Sequence, residues 1–294
     1  VSCYHPVKGF RTPNGVVFTE LGRHDIIGDI ELPCGQCIGC RMRRASDWSL
    51  RCMHEAALWD ENCFITLTYA RDCLPPDGSL CHADYQRFMK RLRKERGKVR
   101  FYMCGEYGPL NDRPHYHACL FNTDFRDRVP RGTSESGELY YESEALTRLW
   151  GHGMATVQDL NEKTASYTAR YIMKKALGTT KTSAYSHIDE DGVVSERTPE
   201  YAAMSLKPGI GAAWYDKYMR DVYPHDFVIQ NGVKRTPPKY YDKLFKRSKD
   251  MRLDNVEFAR QKRANNAKPD NTDARRAVRE RVHLARVRTL KRDL

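Results

Sequence analysis

No run of eighteen apolar residues occurs in this chain, so no membrane-spanning helix is expected. No charged-then-apolar leader opens it, which points to use in a cytoplasm. A Gly-x4-Gly-Lys-Ser/Thr phosphate loop is also lacking; Gly178-Thr179-Thr180-Lys181-Thr182 comes nearest but lacks the upstream glycine. No nucleotide cofactor is therefore expected. Acidic residues are in deficit, 38 against 50 Lys and Arg, and the net charge of +12 implies a polyanionic partner, most simply nucleic acid. That deficit is uneven: from Lys246 to Leu294 sixteen Lys and Arg face seven Asp and Glu, a surplus of nine. The apolar share, 40%, is enough for a core but not generous. Ten cysteines are present, yet chain length and spacing argue for reduced thiols over a secreted disulfide scaffold.

The first chemistry-bearing feature is Cys34-x-x-Cys37-x-x-Cys40. This spacing can present three thiolates to one zinc ion, with Cys3 or His5 closing a tetrahedron. Free thiols on a glycine-loosened turn, or an iron–sulfur cluster, fit the same spacing. A helix is expected from Arg41 to about Asp60, with Trp48, Cys52, Ala56 and Trp59 as a core stripe. Cys63 to Tyr69 reads as a strand whose Thr66 and Thr68 share a face that could line a groove for DNA. His82 to Arg96 reads as an amphipathic helix, apolar on Tyr85, Phe88, Met89 and Leu92 and basic elsewhere.

Two strands follow. Val99 to Cys104 runs into a turn at Gly105-Glu106-Tyr107-Gly108-Pro109, and the stretch after Pro114, His115-Tyr116-His117-Ala118-Cys119-Leu120-Phe121, is strand-like. Strand side chains alternate, so His115 and His117 share one face and Tyr116 takes the other. The hairpin can bring Glu106 beside both histidines. Two nitrogens and one oxygen, with positions left for water and phosphate, suit a hard divalent ion such as Mg2+ or Mn2+. The same His-x-His pair would also fit an ordinary half-exposed polar face.

Asn122 to Glu138 is polar and is expected to be a surface loop. A short helix over Ser143 to Trp150 and a strand over Ala155 to Asp159 complete the order β, α, β, β, α, β. That order predicts an α+β fold, one mostly antiparallel sheet with helices packed on it.

In the expected helix from Ala165 to Lys175, Tyr167 and Tyr171 lie four residues apart and reach the same side, as does Lys174, with Arg170 and Lys175 nearby. Two core-facing tyrosines are the commoner meaning of such a stripe, but three cations within six residues would need partners on a buried face. A phenol, with a pKa of about 10, is a poor nucleophile at neutral pH. Nearby cations favour the phenolate, and a metal ion on a phosphate oxygen makes phosphorus easier to attack. Such a set could cut a phosphodiester by covalent transfer.

The Thr66-Leu67-Thr68 strand, the Pro114-His115-Tyr116-His117 strand and the Tyr167-x-x-x-Tyr171-x-x-Lys174 helix resemble, in that order, the three motifs of HUH endonucleases. More closely, the chain resembles the replication initiators of the Microviridae, the gokushoviruses in particular, from its N-terminus to about Phe245. Supporting stretches are Pro33-Cys34-Gly35-Gln36-Cys37, Gly105-Glu106-Tyr107-Gly108 and Lys207-Pro208-Gly209-Ile210-Gly211. The resemblance implies an enzyme that nicks one DNA strand at an origin, forms a 5′-phosphotyrosine and frees a 3′-OH primer for rolling-circle synthesis. His115, His117 and Glu106 would hold the metal; Tyr167 and Tyr171 would be nucleophiles, Tyr171 making the first cut. Host helicase and polymerase would be partners, and the setting a bacterial host's cytoplasm. The expected organisation is a cysteine-rich segment and basic helix over residues 1–60, an HUH/RRM-like βαββαβ core over 61–178, a packed extension over 179–245 and a basic tail over 246–294. That tail, helical or disordered when free, would be a salt-sensitive DNA anchor. An HUH relaxase or transposase would suit the same site, and a non-catalytic zinc-bearing DNA-binding protein would suit the cysteines and tail.

Overall fold

The computed structural model describes residues 3–19, 25–108, 112–134, 137–171, 185–188, 194–223, 225–248 and 250–289. The chain divides into two units. The smaller joins both ends of the sequence, Val1–Arg44 with Glu257–Lys291, and the larger comprises Ala45–Val256.

In the smaller unit, β1 (Val7–Thr12), β2 (Gly15–Val17) and β3 (Gly28–Leu32) form an antiparallel sheet in the order β2-β1-β3. None of these strands was expected. They are short and charged, and a glycine interrupts the longest. Gly9 has a reason: a Cβ there would lie 3.0 Å from the Val17 carbonyl oxygen, so β1 and β2 need its bare backbone. The helix α1 (Ile38–Ala56) begins in this unit and continues into the larger one.

Within the larger unit the chain runs β4 (Asn62–Thr68), α2 (His82–Arg96), β5 (Arg100–Tyr107), β6 (Pro114–Phe121), β7 (Val129–Thr133), β8 (Leu139–Glu142), α3 (Glu144–Trp150), β9 (Ala155–Asp159) and α4 (Glu162–Tyr171). After these come β10 (Ser186–Ile188), β11 (Val194–Glu196), β12 (Tyr201–Met204), α5 (Ala212–Val222), β13 (Val228–Gln230), β14 (Val233–Arg235) and α6 (Lys239–Arg247). Last are α7 (Arg252–Asn266) and, in the smaller unit, α8 (Asp273–Thr289), so the basic tail is helical.

Seven strands make one antiparallel sheet in the order β12-β5-β6-β4-β9-β8-β7. The expected α+β fold is therefore present, with β5, β6, β4 and β9 at its centre. The sheet is larger than the sequence indicated. Strand β7 falls inside the stretch expected to be a surface loop, and β8 follows it; Pro130, Gly132 and a register shift between them conceal the alternation by which β7 would be read. The edge strand β12 also went unread.

The sheet is buried on both faces. Ile65, Leu67, Tyr116, Ala118 and Val157 pack on one side with Tyr85, Phe88 and Leu92 of α2 and Leu146, Leu149 and Trp150 of α3. Phe64, Tyr102, Cys104, Cys119 and Phe121 pack on the other with Cys52 of α1 and with Ala165, Tyr167 and Ala169 of α4. A third cluster, Leu50, Tyr215, Val222, Tyr223, Tyr241 and Phe245, anchors α5 and α6. The Lys207-to-Gly211 stretch is fixed by a buried ion pair: Arg100 Nε donates to Glu55 Oε1 at 2.6 Å, the Gly211 N–H donates to Glu55 Oε2, and Arg100 also reaches the Pro208 carbonyl. Removing one member of such a pair typically costs about 3–5 kcal/mol, because the survivor stays buried and charged.

Candidate metal centre and tyrosine helix

The strand expected to end at Cys104 continues to Tyr107, which puts Glu106 on the ladder instead of in a turn. Gly105 permits this. A Cβ there would press on the Tyr116 ring at 3.2 Å and on Leu80 at 3.1 Å. In the resulting register Glu106 sits directly across from His115, and Cys104 across from His117. On the other flank of β6, Thr66 faces His117 and Thr68 faces His115.

These residues converge on one point. His115 Nε2 lies 2.7 Å and His117 Nε2 3.0 Å from the same oxygen, Glu106 Oε1. The outer nitrogens are held separately: His115 Nδ1 is 3.0 Å from the Arg113 carbonyl oxygen, and His117 Nδ1 is 2.9 Å from Thr66 Oγ1. A carbonyl oxygen only accepts, so His115 carries its proton on Nδ1, and a neutral ring turns the Nε2 lone pair toward the carboxylate. Two acceptors at 2.7 Å require a positive charge between or beside them, whether a second ring proton or a cation. An imidazole whose far nitrogen is anchored to a carbonyl or hydroxyl is also how metal-bound histidines are oriented. The donor set fits a hard divalent ion. Burial would push the Glu106 carboxyl up, but the hydrogen bonds and charges of His115 and His117 outweigh it and hold the group at about 2. Glu106 is thus an anion at any physiological pH.

Helix α4 lies against this side of the sheet. The Tyr167 ring packs edge-on to His117, centroids 4.9 Å apart, and Phe64 stacks on the same imidazole at 5.6 Å. Tyr167 is 7% exposed. Tyr171, one helical turn on, is the last described residue of α4; its side chain, and Lys174 and Lys175 entirely, lie outside the described residues. Arg170 is half-buried on the same helix, and Thr66 and Thr68 are half-buried on β4. The sequence thus pointed to Glu106, His115, His117 and Tyr167, which the fold brings together. It did not reveal the Thr66–His117 hydrogen bond, the Arg113 carbonyl anchor or the Phe64 stack. Thr66 alone carried a signal, by its place on a strand two residues from a second threonine.

A second cluster belongs to the smaller unit. Cys3, Cys34, Cys37 and Cys40 offer four Sγ atoms, all within 4.8 Å of one another. Cys3 and Cys34 sulfurs are 3.5 Å apart, Cys3 and Cys37 3.9 Å. A zinc ion with Zn–S bonds of about 2.3 Å spaces its tetrahedral ligands by about 3.8 Å. Backbone N–H groups point at these sulfurs: Tyr4 at Cys37, Cys34 at Cys3, and both Gln36 and Cys37 at Cys34. Burial pushes the Cys37 thiol up, but the N–H groups of Tyr4 and Cys40 and the neighbouring thiols outweigh it, bringing the group down to about 6. Cys40, pushed the other way by burial and by its neighbours, rises to about 12. All four are free cysteines.

Comparison with known proteins separates the readings. A family model described as a replication-associated protein of the ORF2 type matches residues 62–176. The replication-associated protein VP4 of Bdellovibrio phage phiMH2K is 31% identical over 258 residues, covering 84% of this chain and 78% of that one. The replication-associated protein ORF2 of Spiroplasma virus 4 is likewise 31% identical, over 83% of this chain and 77% of its own. The chain is a Microviridae-type replication initiator. A third relative, replication-associated protein ORF4 of Chlamydia phage 1, is 26% identical over 85% of this initiator and 58% of its own length. No solved structure matches it. The stretch matched by the family model begins at the first residue of β4 and passes through α4, so it contains both the Glu106–His115–His117 cluster and the tyrosine helix. The cysteine cluster lies outside it. Among the described residues no helix is long and apolar enough to cross a membrane.

Proposed function

We propose that this initiator is an HUH-type endonuclease that starts rolling-circle replication by nicking one DNA strand through a 5′-phosphotyrosine. The observation that carries this reading is His117, whose Nε2 meets Glu106 at 3.0 Å while its ring packs against Tyr167 at 4.9 Å. A phosphate near Glu106, His115 and His117 is therefore near the tyrosine helix as well. A Mg2+ or Mn2+ ion held by those three residues supplies positive charge that draws electrons from a phosphate oxygen.

The chain's own residues account for the rest. A tyrosine oxygen attacks phosphorus, an O–P bond forms, the bond to the 3′ oxygen breaks, and that oxygen leaves as the 3′-OH after taking up a proton. Tyr171 makes the first cut, and Tyr167 acts in the closing transfer, in which a 3′-OH displaces the phenolate. Because the phosphotyrosine keeps the bond energy, resealing needs no nucleotide. Arg170, Lys174 and Lys175 favour the phenolate and hold the DNA backbone; Thr66 and Thr68 flank the strand being cut. Origin DNA is the substrate, host helicase and polymerase are the partners, and the host cytoplasm is the setting. Zinc at Cys3, Cys34, Cys37 and Cys40 is structural.

Incubating the protein with single-stranded origin DNA and Mn2+ should yield a protein–DNA adduct that survives denaturation. A protein that binds the DNA but leaves no adduct, with the strand intact, would show a binding protein and not a nickase.

A further inference from the structure

The smaller unit holds an arginine-rich helix in a particular way. Helix α8 carries six arginines against two acids. One of those acids, Glu280, bonds to His5 at 2.8 Å, and Arg276 pairs with Glu31 of β3. His283 of the same helix is 2.9 Å from the Tyr4 hydroxyl, their rings edge to face. Tyr4 in turn follows Cys3 and donates its backbone N–H to Cys37 Sγ. A short run, Cys3-Tyr4-His5, therefore ties the cysteine cluster to α8.

Beside Tyr4 and α8 lies an open groove of 540 Å³, edged by Arg275, Arg279 and Arg286 with Val278 and Val282 between them. Both valines are 47% exposed, and the adjoining Ala277 and Ala285 are exposed too. Short apolar side chains flanked by arginines are poorly suited to water. They suit the floor of a major groove, where apolar groups meet thymine methyls and arginines reach phosphates or guanine, and whose width of about 12 Å admits an α-helix. A second copy of this chain is a poorer occupant, since arginine would face arginine. A single strand is poorer as well: the outward face of α8 presents no aromatic ring on which bases could stack.

We propose that α8 is a duplex-DNA-docking helix, set in place by metal binding at Cys3, Cys34, Cys37 and Cys40. This rests on the zinc reading of that cluster, and it assigns to duplex recognition a surface separate from the cutting residues. The geometry makes Tyr4 the link.

The test measures binding of the full chain, loaded with zinc, to a short labelled duplex across a salt titration. Val278→Glu and the pair Arg275→Ala/Arg286→Ala should each weaken binding by about tenfold or more; the pair should also flatten the dependence of log K on log salt by about 2. Zinc content and adduct yield on single-stranded DNA should not change. Tyr4→Phe should weaken duplex binding with zinc retained, and Cys37→Ser should lose both zinc and duplex affinity. Unchanged affinity and slope in the α8 variants would overturn the docking helix, as would stronger competition by single strands than by duplex. So would a change of oligomeric state by light scattering with DNA affinity intact. Zinc-free Cys37→Ser that still binds duplex normally would overturn the metal's part. Because adduct formation is read separately, failure of the nickase reading would not be confused with failure of this one.

Discussion

Thr66 Oγ1 lies 2.9 Å from His117 Nδ1, across a ladder in which these two residues face each other. The hydroxyl fixes the ring so that Nε2 turns to Glu106. Thr66→Val keeps the strand and its packing but removes that hold, and metal affinity should fall by about 10–100-fold. A Mn2+ titration of wild type and variant checks this, and cutting by the variant should recover at high Mn2+. Equal Mn2+ affinities would show that the hydroxyl has no part in orienting the ring.

His115→Ala with His117→Ala should abolish metal-dependent cutting while sparing most salt-sensitive binding, which depends on the basic residues elsewhere. Gel assays of cutting and of binding, run on the same preparation, separate the two effects. Metal-dependent cutting that survives in the double variant would remove both histidines from the ligand set.

The two tyrosines can be told apart by their products. Tyr171→Phe should strongly reduce the first cut, whereas Tyr167→Phe should leave it and impair the second transfer. Trapping the adduct and sequencing the linked peptide identifies the attacked side chain. Undiminished cutting by the double variant would remove both from the mechanism.

The cysteine cluster predicts one zinc per chain by elemental analysis. Cys37→Ser takes away the thiol held lowest and should bring the content close to zero. Finding neither zinc nor iron in purified wild-type protein would leave only free thiols.

A pH effect follows from His54, which is buried, hydrogen-bonded to the Tyr241 hydroxyl and stacked on Trp214 at 3.5 Å. Burial drives its imidazole down to about 3 from an ordinary 6.5. Between those values the unfolded chain binds a proton there and the folded chain does not, so stability falls as pH drops, by about 1.4 kcal/mol per pH unit. From pH 6.5 to 5 the loss should be about 2 kcal/mol by the same slope. Glu106 also loses stability toward acid, but only below its ordinary value of 4.5. Urea unfolding at pH 7 and pH 5 measures the difference, which should shrink in His54→Gln. An undiminished difference in that variant would mean that other groups carry it.

Periodicity was enough to place helix α2 at His82–Arg96 and strand β9 at Ala155–Asp159, since each has a clean apolar face. It was enough for the His115–His117 face as well, because alternation along a strand needs no knowledge of the partner. Glu106 was legible only as a neighbour, because its position across from His115 depends on a register that pairing sets. What stayed hidden depends on contacts distant in sequence. Arg113 contributes a carbonyl, which every residue has, and β12 is a strand only because β5 offers it an edge. The strands of the smaller unit have the same difficulty: their sequence is charged and glycine-broken, and they are completed by residues from the other end of the chain.

That last arrangement has a consequence for how the molecule is made. Strands β1 to β3 leave the ribosome early and α8 last, with the 212 residues from Ala45 to Val256 between the two contributing segments. Closing so long a flexible loop is entropically costly, although each doubling of its length adds only about 0.6 kcal/mol. Prior folding of the intervening unit would turn that loop into a fixed span and lower the cost. Vectorial synthesis would then give a nascent chain its cutting residues before its arginine helix, and the cysteines would remain exposed to cellular oxidants until the helix arrived.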